Sequence, residues 1–288
     1  MAGIDVNRTT NGVALPAEIS AEIWGATVEN SAVMSATRQI RLPGTGVTVP
    51  LITGEPTASW VDETDEKPVS RHSLSSKVIT PYKLAVIEPF SNEFVRDLPG
   101  LYRELVRRLP SALGRAFDST VFGETGAPGS NFDSLSDADE VEFDAADPYA
   151  SLAEIYGGVA AGGGRLSGWI ASPTLQGQLM VARDTNGSLL FVNDASGDPS
   201  VGRVLGAPVY TTNVTEELGF AGDFQNGAVW GSVEGVKVRF SDQATLTDGD
   251  ASINLWQRNM VAVLAEIEVG FRVKDLAAFR KIAAPDAP

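Results

Sequence analysis

The sequence contains no cysteine and a single histidine, His72. The first absence removes disulfides, thiolate zinc sites, iron–sulfur ligation and thiol nucleophiles, and it fits a protein of a reducing cytoplasm. The second leaves no two-histidine metal site and only His72 for a Ser-His-Asp triad. No serine lies in a GxSxG frame. His72 itself sits in the polar run Ser70-Arg-His-Ser73, where exposure or a subunit contact is expected. Basic residues are scarce: 22 Lys and Arg face 37 Asp and Glu, for a net charge of −15. Such a balance opposes gripping nucleic acid or an anionic membrane. No apolar run reaches the 18 residues of a membrane-spanning helix, and Met1-Ala-Gly-Ile-Asp lacks the basic and apolar regions of a secretory signal. No cofactor or metal is expected. What remains is 288 residues, 43% of them apolar, enough for one large or two medium domains with a real core.

Pro16-Ala-Glu-Ile-Ser-Ala-Glu-Ile-Trp24 reads as a short amphipathic helix, with Ile19, Ile23 and Trp24 on one face. Proline suits its first turn, where an N–H would be unpaired anyway. The rest of the leading segment is mixed and polar, and is expected to lie as an arm on something else. From Thr45 to Glu88 the hydrophobic period is two. Val47 and Val49 mark one strand; Val78, Thr80, Tyr82, Leu84 and Val86 mark another. The polar connection from Gly54 to Pro68 is long for a compact monomer. A neighbouring subunit is expected to order it.

Ser91-Asn-Glu opens the strongest helix. Leu101, Leu105, Leu109, Leu113 and Phe117 step by four along it, Pro110 is expected to bend it and Gly123 to cap it. Asn131 to Asp147 then carries seven acids and no base. The glycine and spacing of an EF-hand are absent, so a solvated connection is expected, and Asp248-Gly-Asp250 reads as a turn. From Asp147 to Gly235 helices and strands alternate. Leu152, Ile155, Tyr156 and Val159 form one helical face, and Gly162-Gly-Gly164 ends that helix without a phosphate-loop pattern. A strand over Leu166 to Ala171, a helix capped by Ser172, and strands near Leu189–Phe191 and Pro208–Thr211 follow. Glu234-Gly235 reads as a hairpin turn. After the polar loop Asp242 to Asn254, one long strand places Val261, Val263, Ala265, Ile267, Val269, Phe271 and Val273 on a single face. The fold class is α+β.

The order of these features resembles tailed-bacteriophage major capsid proteins of the Hong-Kong-97-type fold. The matching text is Ala58-Ser-Trp60-Val61, Glu66-Lys67-Pro68, Pro81-Tyr-Lys-Leu84 and Ser91-Asn-Glu-Phe. It continues through Phe117-Asp118, Phe122-Gly123, Leu205-Gly-Ala-Pro208-Val209, Gly222-Asp-Phe224, Arg258-Asn-Met260 and Leu276-Ala-Ala-Phe279. The resemblance implies an N-terminal arm (1–44) and an extended β-hairpin loop (45–84). It implies a peripheral domain with the spine helix and long strands (85–147 and 236–288) and an α/β axial domain (148–235). It further implies hexamers and pentamers of this chain tiling an icosahedral head shell in the virion, assembled in the bacterial host cytoplasm. The shell would enclose double-stranded DNA without binding it specifically. A portal protein, and separate scaffold and decoration proteins, are the implied partners. The chain is not expected to be an enzyme.

Some members of the resembled family weld their shells by a self-catalysed isopeptide bond. By motif, Lys67 matches the attacking lysine, Asn259 the asparagine and Glu266 the assisting glutamate. Equally, Lys67 reads as a solvated charge, Asn259 as a strand-end residue and Glu266 as an ion-pair partner on the outer strand face. Two other readings of the whole chain stand beside the phage one. One is an encapsulin-like bacterial compartment shell of the same fold. The other is a soluble acidic hydrolase or sugar-binding protein using the carboxylates of Asp133 to Asp147.

Overall fold

The computed structural model describes residues 17–43, 49–51, 60–61, 77–95, 98–184, 187–193, 200–248 and 251–285. Helix α1 (Ala17–Asn30) and α2 (Ala32–Ala36) lead into strand β1 (Arg38–Arg41). Strands β2 (Val49–Leu51) and β3 (Lys77–Ile79) pair antiparallel. β4 (Tyr82–Ser91) follows, then α3 (Asn92–Val95), the spine helix α4 (Leu98–Phe122) and β5 (Asp139–Glu142). Next come α5 (Pro148–Ala161), β6 (Gly168–Ala171), α6 (Pro173–Val181), β7 (Phe191–Asn193), β8 (Gly202–Val204) and β9 (Ala207–Thr211). The chain closes with β10 (Gly219–Gly222), β11 (Ala228–Ser232), β12 (Lys237–Ser241), the hairpin β13 (Thr245–Asp248) and β14 (Ala251–Asn254), β15 (Met260–Val273) and β16 (Phe279–Ala283).

The spine helix forms for the reason its spacing gives. Leu105, Leu109, Leu113, Phe117 and Val121 fall on one stripe, and all are buried. The helix runs unbroken through Pro110, which removes only the N–H that would have met the Val106 carbonyl. Gly123 ends it at φ +88°, and a Cβ there would sit 2.6 Å from the Ser136 Cβ. The stripe packs on the odd-numbered face of β15, where Val263, Ala265, Ile267, Val269 and Phe271 are buried. Phe117 meets Phe132, Phe271 and Trp230 at centroid distances of 6.0–6.5 Å.

The leading segment is part of this core, which corrects the expectation of an arm lying elsewhere. Helix α1 continues to Asn30 and lies on the spine helix at Gly114, where a Cβ would stand 3.3 Å from the Thr27 carbonyl. Ile23, Val33 and Met34 are buried, and the Trp230 indole donates to the carbonyls of Met34 and Thr37 at 3.2 Å each.

The first sheet is organised by β15. Val269 is paired by Tyr82 on one edge and Ser232 on the other, and Val263 by Glu88 and Phe240. Strands β11 and β12 therefore both run along the edge opposite β4. Between Ser232↔Val269 and Lys237↔Glu266, four residues face two. Glu234-Gly235 is thus a bulge in one long strand and not the expected hairpin turn: β15 offers an uninterrupted ladder, and the extra residues are absorbed without reversing the chain. The expected loop Asp242 to Asn254 contains the β13–β14 hairpin instead.

The second sheet runs β5-β16-β10-β6-β9-β8-β7. Helices α5 and α6 cover one face, with Leu152, Ile155, Leu175 and Leu179 packed on Trp169, Ala171, Val209 and Ile282. The other face, through Ile170, Phe220 and Phe279, joins the spine core, and Phe122 stacks on Phe220 at 5.0 Å. Pairing redraws the expected boundaries. β5 and β16, assigned to the peripheral unit, lie in this axial sheet; β11, assigned to the axial unit, lies beside β15. Asp139–Glu142 is accordingly a strand and not a solvated loop. The triple glycine lets the end of α5 approach the 3₁₀ turn Leu276–Ala278: a Cβ on Gly162 would sit 1.8 Å from the Ala277 carbonyl oxygen.

Candidate assembly interface

The root of the hairpin is a polar clamp. Arg272, its side chain 9% exposed, donates through Nε to the Val78 carbonyl at 2.8 Å. Its Nη1 reaches Asp133 at 2.5 Å and its Nη2 reaches Asn131 Oδ1 at 2.8 Å. Asp133 Oδ2 takes the Val273 N–H at 3.0 Å, and Lys77 Nζ donates both to that oxygen (3.4 Å) and to the Val273 carbonyl (2.7 Å). Asn131 Nδ2 closes the circuit on Thr80 Oγ1 at 3.1 Å. One guanidinium, donating through each of its three nitrogens, thereby holds β3, the 131–133 loop and the end of β15 together. From this root the chain leads to Trp60, which is fully exposed. A tryptophan in that state has an apolar face that its own fold leaves uncovered.

A second polar point fixes the leading segment. Asp118 of the spine helix is buried beneath the start of α2. Its Oδ1 accepts from Ser31 Oγ at 2.5 Å and from the Val33 N–H at 3.4 Å; Oδ2 accepts from the Ala32 N–H at 2.9 Å. Ser31 in turn caps α2 by accepting from the Met34 N–H at 3.0 Å. Burial pushes the Asp118 carboxyl up to about 7, against the smaller downward pull of these three donors. A cavity of about 440 Å³ beside it is lined by Arg115, Asn213, Thr212 and Gln176 among others, and Arg115 donates to Asn213 Oδ1 at 3.1 Å.

Three carboxylates of the acidic stretch pair with cations of their own chain. Besides Asp133, Asp139 lies 3.4 Å from Arg280 and Glu140 2.7 Å from Lys281. Arg280 is itself buried, clamping the carbonyls of Gly158, Ala277 and Phe279 at 2.6–2.8 Å. Sequence reasoning missed Arg272, Arg280 and Asp118 as structural centres. No local signal marks the two arginines: Glu266 and Glu268 precede Arg272 on its strand face, and Lys281 stands next to Arg280.

Of the cross-link residues, Lys67 lies outside the described residues, as do its Glu66–Pro68 motif and His72. Asn259 is exposed in the turn that enters β15, at φ +54°, a left-handed position that asparagine tolerates. Its Oδ1 accepts from Asn92 Nδ2 at 2.7 Å. Glu266 is half-buried on the even-numbered face of β15, opposite Lys237 in the ladder. Seven residues of extended chain put it roughly 23 Å from Asn259. The structure does not bring these two together within one copy.

The phage capsid family matches residues 11–284. "Probable major capsid protein gp17" of Mycobacterium phage L5 is 31% identical over 283 residues, 89% of this chain and 85% of that protein. Its namesake in Mycobacterium phage D29 is 29% identical, covering 92% and 88%. A solved structure from Mycobacterium phage Adephagia superposes with a TM-score of 0.68 at 22% identity, covering 90% of this chain and 91% of that one. The capsid of an empty GTA particle gives 0.61 at 15% identity, covering 98% and 95%.

Proposed function

The chain belongs to the phage capsid family and is a major capsid protein of tailed phages, and from that premise we propose that its copies join as hexamers and pentamers tiling an icosahedral head shell around double-stranded DNA. Its place is the virion shell, its family is a structural one, and self-association into a multimeric capsid is its activity. The observation that supports the finer reading is the clamped hairpin. Arg272 and Asp133 fix the paired strands β2 and β3 from which the chain runs to Trp60, an exposed aromatic suited to contact with a neighbour. The segments 45–84, the spine and the α/β layer take the roles of extended loop, peripheral unit and axial unit, with β5 and β16 counted in the last. A portal protein, and separate scaffold and decoration proteins, complete the head, which assembles in the host cytoplasm. A net charge of −15 suits a container that releases its DNA. Electron microscopy of the purified chain tests this: closed shells or five- and sixfold rings are expected. A strictly monomeric species under all assembly conditions overturns it.

The cross-link belongs to the same proposal. Lys67 Nζ, deprotonated by Glu266, attacks the Asn259 side-chain carbonyl; the new C–N bond forms as the amide nitrogen leaves as ammonia, which takes up the proton. The hydrogen bond from Asn92 polarises that carbonyl for attack. The distance along β15 requires Asn259 and Glu266 to come from different copies. Boiling particles in SDS decides it: covalent ladders that Lys67→Arg abolishes are expected, and 30.4 kDa monomers from unmodified particles refute it.

A further inference from the structure

The solvent side of the spine helix carries a charge opposite to that of the chain. In a protein with a net charge of −15, α4 holds four arginines, no lysine and two acids, Glu104 and Asp118, the second of them buried beneath α2. At about 100° per residue, Arg103, Arg107, Arg108, Ser111 and Arg115 fall within about 140° of one another, away from the buried stripe of Leu105, Leu109 and Leu113. All four arginines are exposed. Glu104 pairs with Arg107 and Arg108, and Glu88 reaches Arg108 at 3.1 Å. Arg103 and Arg115 have no acid partner among the described residues. The row therefore stays basic after its own ion pairs are counted. On the far face of the β15 sheet the charges cancel instead: Lys83, Lys237 and Arg239 stand with Glu234, Glu266 and Glu268.

The row runs into the cavity of about 440 Å³ beside Asp118, which Ser111 and Arg115 share with Gln176, Thr212 and Asn213. Arg115 uses only Nε, on Asn213 Oδ1 at 3.1 Å, and leaves Nη1 and Nη2 without a partner among the described residues. Thr212 is 8% exposed, yet its hydroxyl has no hydrogen-bond partner among the described residues. A buried hydroxyl left open on a polar cavity calls for a partner from outside the chain. The Asp118 oxygens are taken by Ser31, Ala32 and Val33, so the free charge of the cavity is that of Arg115. Two guanidinium nitrogens beside a hydroxyl suit a phosphate group.

We propose that the arginine row of the spine helix, with the cavity at its end, binds the phosphates of nucleic acid without reading its sequence, and so faces the inside of the shell. The inference rests on the assembly reading above and adds which side of the tile meets the enclosed DNA. From Arg103 to Arg115 the row is about 18 Å long, the length of about five phosphates of one strand. Among its described residues the face exposes no large apolar side chain, which a protein partner would need at the centre of its contact. A phosphate backbone needs only the cations. The acidity of the rest of the chain keeps the hold weak and salt-sensitive.

Fluorescence anisotropy of the unassembled subunit with duplex DNA tests this. Binding at low salt is expected, indifferent to sequence, with log affinity falling against log salt at a slope of about −3. Arg103→Gln with Arg107→Gln and Arg115→Gln weakens it at least tenfold and brings the slope to about −1. Equal affinity in that variant overturns the proposal, as does an unmodified subunit that does not bind. Inorganic phosphate displaces the DNA no better than chloride at equal ionic strength; displacement by dilute phosphate assigns the cavity to the free ion and overturns the strand. A poly-glutamate peptide that binds more tightly than DNA marks an acidic protein as the occupant and overturns it too. In intact empty shells the variant Ser111→Cys, whose thiol has no rival in this cysteine-free chain, escapes a maleimide too large to cross the wall and reacts once the shells are disrupted. Reaction in intact shells puts the row outside and refutes the inward placement. Shells that never form strike the assembly reading, while the DNA measurement on the free subunit is decided independently.

Discussion

Arg272 and Asp133, 139 residues apart in sequence, meet at 2.5 Å at the base of the hairpin, and the same carboxylate accepts the backbone N–H of Val273. Removing either partner strands the other in a site with little water. Arg272→Ala is expected to destabilise the unassembled subunit by about 3 kcal/mol, the scale for breaking a largely buried pair. Chemical denaturation measures this, and a loss under about 1 kcal/mol refutes the clamp.

Asp118 makes stability depend on pH. The folded carboxyl keeps its proton to about 7, whereas the unfolded one loses it near 3.8. Between those values the folded state binds more protons, so stability falls as pH rises from about 4 to 7 and is flat above. The whole window is worth up to about 4 kcal/mol by linkage. Asp118→Asn is expected to remove this slope in thermal melts across pH 4–8; an unchanged slope places the titration elsewhere.

Gly123→Ala forces a Cβ into a left-handed position against Ser136. A loss of roughly 2 kcal/mol is expected from backbone strain and the clash together. Equal melting temperatures for variant and parent would show that the turn accommodates it.

Leu113→Ala opens a cavity in the middle of the spine stripe, where the side chain is 1% exposed. A loss of about 3 kcal/mol is expected in urea unfolding. A neutral result would mean that the helix does not pack on β15 as described.

Much of this fold was legible. The four-residue steps of Leu105 to Phe117, the capping Ser172 and the alternation from Val263 to Val273 each follow from one local rule, and the structure has them. The leading segment was misread because α2, Ala32–Ala36, is only five residues long. It has no period of its own, and its burial depends on Asp118, 86 residues away. Glu234-Gly235 was misread for a similar reason. Its two flanking runs have hairpin chemistry, but the partner both prefer is β15. The assembly surface was the least legible part, since exposure of Trp60 is decided by which neighbours the fold withholds.

The fourteen residues of β15 span roughly 46 Å, with the clamp at one end and the Asn259 turn at the other. Ten consecutive residues pair with β4 along it. A pull on the hairpin therefore loads this ladder lengthwise, and parting the strands requires many rungs to break at once. The subunit thus has a tension member running from the clamp to the Asn259 turn, along which a load is carried without unravelling the strand.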